Sequence, residues 1–205
     1  MPEIRELTSL LESPSSPKRR SAARKPRKLG DPFAGPALLH ALKRELLDKR
    51  TWETQYQMVM ALGHCGYREA IPLLHILAYE RIEHTMVLVA VGDAYIRLVR
   101  TSEDDSKPLF DIFAIRNDNA LLDGALRAVA MLRMRFGDDC AARIIDAVVA
   151  RKQESLWFWA AAACPGWSGA AVEAFLDQCL QSGLEDIKTA ASAAKLKKYL
   201  KWNPL

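Results

Sequence analysis

Apolar residues recur three and four positions apart through nearly the whole chain, and alternating apolar–polar runs are missing. That spacing predicts amphipathic helices and no strands. Ser16 is a good N-cap and Pro17 a good first residue for a helix reaching about Leu29. Gly30-Asp31-Pro32 then ends that helix and opens the next, whose stripe is Ala34, Ala37, Leu38, Ala41, Leu42 and Leu46. The same grammar returns at Thr51, which caps a helix closed by Gly63. After a short turn, 68–80 follows with Ile71, Leu74, Leu77 and Ala78 inward and Pro72 in its first turn. Three looser pairs come next, at 84–99 with 104–115, at 119–135 with 138–151, and at 155–164 with 168–181. A last helix covers 184–201. Upstream, residues 1–15 form a tail or a capping helix with Ile4, Leu7, Leu10 and Leu11 on one side.

The first helices of these pairs begin near 17, 52, 86, 119 and 155, with the last helix near 185. A period of about 30 to 36 residues is the mark of a helical-repeat protein. No pair can bury its apolar face alone, so neighbouring pairs must shelter one another. The fold class expected is all-α: a right-handed α-solenoid of about five helical hairpins plus a C-terminal helix, one domain spanning 16–205. The second helix of each pair is expected on the concave side.

Arg19-x-x-Ala22-Ala23, Leu29-Gly30-Asp31-Pro32 and Ala37-Leu38-Leu39, followed by Ala61-Leu62-Gly63 and Ala70-Ile71-Pro72-Leu73-Leu74, resemble HEAT-like repeats of the phycobilisome-lyase type. The likeness is good over 16–80 and only periodic beyond, at Gly137-Asp138 and Ala141 to Ile145. The motif's Arg becomes Gln55 in the second repeat, and Lys25-Pro26-Arg27 replaces the usual Ala-Leu-Gly in the first. The resemblance implies an armadillo-like helical binding scaffold. Its motif specifies packing and brings no catalytic group, so no lyase activity is carried over.

Composition narrows the classes. Half of the 205 residues are apolar and 26% are charged, which suits a folded protein. No apolar run is long enough to span a bilayer, and the first twenty residues lack the apolar core of a signal peptide. The expectation is a cytoplasmic protein with no membrane partner. Cys65, Cys140, Cys164 and Cys179 form no CxxC pair and sit among apolar residues, so they read as reduced, buried thiols. His40, His64, His75 and His84 show no metal-ligand spacing. No phosphate loop, nucleophile elbow or dinucleotide fingerprint occurs. No cofactor, metal or small-molecule substrate is expected, and no catalytic residue.

The net charge of +4 is unevenly spread: residues 1–50 are basic, 51–150 acidic and 151–205 mildly basic. Lys18, Arg19, Arg20, Arg24, Lys25, Arg27 and Lys28 fall within one helix with no acid among them. They read either as a platform for an anionic partner or as the solvated outer side of an end repeat. Arg20, Arg24, Arg27 and Lys28 share a face by spacing. Trp52, Tyr56 and Met60, at i, i+4 and i+8, suit an aromatic anchor or packing against the next repeat, and burial is the rule for such residues. Trp157, Phe158 and Trp159 are adjacent, so they point different ways and at least one should reach a surface or groove. The expected binding residues are Arg19, Arg20, Arg24, Lys28, Trp52, Gln55 and Tyr56.

The function these features predict is a non-enzymatic protein-interaction scaffold or adaptor. Nucleic acid is the lesser partner: alkylpurine DNA glycosylases also use HEAT-like repeats. They need a basic groove and a buried carboxylate beside aromatics, whereas the middle of this chain is acidic.

Overall fold

The computed structural model describes residues 2–80, 82, 84–115 and 119–201, with side chains from Glu6 onward. Ile4 of the N-terminal stripe thus lies outside the described side chains. All regular structure among the described residues is helical. The α-helices are α1 Pro2–Leu11, α2 Ser16–Leu29, α3 Gly35–Glu45, α4 Trp52–His64, α5 Ile71–Tyr79, α6 Thr85–Val99, α7 Lys107–Ile115, α8 Asn119–Met131, α9 Asp138–Arg151, α10 Glu154–Ala163, α11 Ala170–Leu180 and α12 Glu185–Lys195. No helix among the described residues is long and apolar enough to cross a membrane. No group of three His, Cys, Asp or Glu able to hold a metal ion occurs among them either.

The chain divides into two compact units, Met1–Val99 and Arg100–Leu205. In the first, α2, α4 and α6 lie side by side as a row; α3 packs on α4, α5 on α6, and α1 on both α2 and α3. In the second, α8, α10 and α12 form the row, with α7 on α8, α9 on α10 and α11, and α11 on α12.

The row helices are the greasy ones because they are covered on several sides. Every residue from Thr54 to Gly63 is buried, as is every residue from Val87 to Ile96. The flanking helices bury one stripe only, such as Leu38, Ala41 and Leu42 on α3 or Leu74, Leu77 and Ala78 on α5. Burying a Leu or Val side chain stabilises by about 1.5–3 kcal/mol, so the rows carry most of the hydrophobic stabilisation.

Three local expectations change. Gly63 does not close its helix, since α4 runs on to His64. Its role is close approach: a Cβ built there would stand 2.8 Å from Ala94 Cα and 2.9 Å from Ala94 Cβ on α6. The helix from 119 ends at Met131, not Arg135, because Arg133 takes a left-handed φ of 55°. The last helix ends at Lys195, not Lys201, with Lys197 left-handed at φ 53° and its ammonium on the Trp167 carbonyl at 2.9 Å.

The cysteines are free; Cys65, Cys164 and Cys179 are buried, and Cys140 is half-buried rather than buried as expected. Burial pushes the Cys65 thiol up to about 11 and the Cys179 thiol up to about 12, and raises that of Cys164 as well. Thiolates are the reactive form, so these three are inert while the fold holds.

Two outcomes follow. Gly63→Ala should destabilise by about 1–3 kcal/mol in urea unfolding, although Ala is the better helix former by about 1 kcal/mol. Gly183→Ala, where an added Cβ meets nothing within 4 Å, should change little. A thiol-colour reagent added to native protein should label Cys140 alone, and the other three only after denaturation.

Candidate interaction surface

The fourth residues of α2 and α4 are Arg19 and Gln55, and both reach back to the end of the preceding helix. Arg19 donates from NH1 to the Ser13 carbonyl at 2.7 Å, just past α1. Gln55 donates from Nε2 to the carbonyls of Glu45 at 3.2 Å and Asp48 at 3.0 Å, at the end of α3. Helix ends leave orphan carbonyls, and these side chains satisfy them. Gln55 therefore makes the same kind of tie as Arg19 without the charge.

Arg19 also grips Glu45 with two donors, Nε at 2.6 Å and NH2 at 2.9 Å. Ser16 Oγ adds a third bond to Glu45 at 3.0 Å and meets Thr54 Oγ1 at 2.7 Å. One buried carboxylate on α3 thus holds α2, and Ser16 carries the tie on to Thr54 of α4. The hydrogen bond to Glu45 raises the Arg19 guanidinium pKa, against desolvation. A bidentate guanidinium–carboxylate pair is among the stronger polar contacts in a protein.

The basic cluster consequently breaks into two classes. Arg19 is tied to Glu45, Arg20 is ion-paired with Glu53 on α4, and Arg27 is buried. Arg27 donates from NH1 to Gln57 Oε1 at 2.8 Å and lies 5.9 Å over the Tyr56 ring. Only Lys18, Arg24, Lys25 and Lys28 are exposed, so the expected shared face of Arg20, Arg24, Arg27 and Lys28 does not exist as a surface. Gln55 and Tyr56 are each 4% exposed and present nothing to a partner. Trp52 is half-buried and stacks on His84 at 5.4 Å. Of the seven expected binding residues, Arg24 and Lys28 are open to solvent; Arg19, Gln55 and Tyr56 serve packing; Arg20 and Trp52 are partly covered.

Sequence reasoning missed the groove between α1 and α2. Its volume is about 490 Å³, and Leu7, Leu10, Ala22, Pro26 and Leu29 line it, with Lys18, Lys25, Glu6 and Asp31 at its edges. Leu29 is 69% exposed and Leu10 is 42% exposed, unusual values for leucines on packed helices. The signal was present in the sequence: Leu29 lies past the inward stripe of α2, and α1 carries more leucines than its single buried one, Leu11, uses.

A second cleft, of about 450 Å³, lies in the other unit beside the starts of α10 and α12. Phe158, Trp159, Leu184 and Ile187 line it together with Glu154, Glu185 and Asp186. Phe158 and Trp159 of the aromatic triplet thus reach a groove, while Trp157 turns edge-on to Phe175 at 5.5 Å. Asp123 on α8 accepts hydrogen bonds from Ser155 and Trp159, with Arg127 nearby, and burial raises its carboxyl pKa against those three contacts. A carboxylate beside Trp and Arg is therefore present, at a place the sequence marked only as one acid in an apolar helix. The described residues lining the cleft bring three carboxylates and no cation, an environment that repels a phosphate backbone.

No protein-family model matches the chain, and no curated protein does. Among solved structures, a crystal structure of an engineered protein, a Northeast Structural Genomics Consortium target, is similar over 98% of this chain and 100% of its own, at 19% identity and a TM-score of 0.47. That likeness is too distant to speak to function.

The Arg19–Glu45 tie predicts an asymmetry. Arg19→Ala strands a carboxylate whose side chain is 2% exposed and should cost about 3 kcal/mol in denaturant unfolding. Glu45→Gln should cost less than half of that, since Arg19 keeps the Ser13 carbonyl and an edge on solvent. Equal losses would contradict the account.

Proposed function

We propose that this chain is a HEAT-like helical-repeat scaffold that binds another protein through the α1–α2 groove and catalyses nothing itself. The repeat reading is supported by helix starts at Ser16, Trp52, Thr85, Asn119, Glu154 and Glu185, and by side-by-side rows within each unit. Stacking of hairpins in solenoid fashion is the arrangement that such regular starts and rows suit. The resemblance over 16–80 points the same way, and Arg19 and Gln55 act as packing residues at equivalent positions.

The observation that carries the binding reading is the groove: open, apolar along its floor, and edged by lysines. Apolar area of this kind, ringed by charge, characterises interaction sites on folded proteins. The first unit holds it rigidly, because α2 is fixed to α3 through Glu45 and to α4 through Ser16. A nucleic-acid reading finds a carboxylate, Asp123, but the cleft beside its partners Ser155 and Trp159 has the wrong charge.

Affinity capture with the full chain and with Leu29→Asp tests the proposal. Leu29 is largely exposed, so the variant should melt with the wild type and should lose the partners that the wild type retains. Capture of the same proteins by both would remove the groove from the account.

A further inference from the structure

Resting on that reading, we infer that the groove's occupant is an amphipathic helix of about three turns, acidic along the flank that faces α2. The groove follows α2 from Lys18 to Leu29, eleven helical steps, or roughly 16 Å at 1.5 Å per residue. A helix laid in it presents apolar residues at i, i+3 or i+4 and i+7 to Leu7, Leu10, Ala22 and Leu29, the usual way an amphipathic helix fills a hydrophobic groove.

Charge selects the partner's chemistry. Lys18 and Lys25 are seven residues apart, two turns on the same side of α2, and both line the groove. Arg24 and Lys28 continue the exposed edge one step around the helix. None of the four is ion-paired among the described residues, whereas the acids Glu45 and Glu53 are taken by Arg19 and Arg20. The α2 edge therefore presents cations without an ion pair, and acids at i and i+7 of the occupant would answer Lys18 and Lys25. The opposite wall carries Glu6, and Asp31 stands at the end of α2, so acids on the occupant's other flank are disfavoured. The two sides thus set the occupant's orientation as well as its charge.

The chain supplies its own precedent. α1, with Glu6 beside Leu7, Leu10 and Leu11, is an amphipathic helix already packed on α2. Its Leu11 is buried, while Leu10 is turned toward the open groove. An incoming helix of the same chemistry would complete a three-helix arrangement around the basic edge.

Selection of a phage-displayed library of random 16-residue peptides on the immobilised full chain tests this, followed by anisotropy titration of the enriched peptides after synthesis. The expected winners are helical, with acids seven apart on one side of an apolar stripe. Their affinity should fall at least tenfold on the double variant Lys18→Glu with Lys25→Glu and recover when the peptide's acids are changed to Lys. Raising the salt should weaken the wild-type pair. Winners that are neutral or basic, or that bind both proteins equally yet fail on Leu29→Asp, overturn this inference and leave the groove as a docking site. Winners insensitive to Leu29→Asp as well overturn both. A sedimenting dimer that the double variant splits would assign the groove to a second copy, and would also overturn the inference. Far-UV circular dichroism melts of each variant establish that binding, not folding, has changed.

Discussion

One buried carboxylate organises the first unit. Glu45 sits on α3, yet its oxygens are held by Arg19 and Ser16 on α2, and Ser16 is in turn hydrogen-bonded to Thr54 on α4. Hydrophobic contact brings helices together without fixing their rotation or register. A charged group out of water has few tolerable geometries, so it fixes both. With Arg19 and Arg27 drawn inward and Arg20 paired with Glu53, Lys18, Arg24, Lys25 and Lys28 are the exposed cations of α2. The packing of these helices and the character of their surface thus meet at the same contact.

The division of roles along α2 shows how a helix serves two purposes. Ala22, Ala23 and Pro26 belong to its buried face, with Ala22 and Pro26 also at the floor of the groove. Arg27, although charged, joins that face by lying over Tyr56 and bonding Gln57, so its guanidinium is accommodated by an aromatic ring and an amide. The opposite arc holds only lysines, Arg24, Ser21, Pro17 and Leu29. A solvated helix face has no need of that leucine, and its exposure next to Leu10 is what distinguishes this edge from a soluble end.

Much of the architecture was legible because it depends on period and punctuation. Pro17 and Pro72 sit in the first turns of α2 and α5, Pro32 opens a single 3-10 turn ahead of α3, and the 30–36-residue spacing survives in the helix starts to within a residue or two. What failed was context. Gly63 has the residue type of a stop and the job of a contact point, and only Ala94, 31 positions later, distinguishes the two. The seven cations of α2 look equivalent along the chain. Arg19, Arg20 and Arg27 are set apart by Glu45, Glu53 and Gln57, about thirty positions later, and pairing over that distance leaves no local mark. The groove was illegible for a related reason: it exists only where α1, expected as a tail or a cap, lies along α2. Asp123 is the same lesson in the second unit, where a lone acid in an apolar run becomes a hydrogen-bonded carboxylate only through Ser155 and Trp159.

The central claim is that residues 6–31 form the recognition surface. Backbone hydrogen exchange read by mass spectrometry, on the full chain with and without a bound partner helix, measures this directly. The account predicts slower exchange in α1 and α2, with the α10 and α12 segments unchanged. Protection confined to 154–187, with 6–31 exchanging as in the free protein, would contradict it.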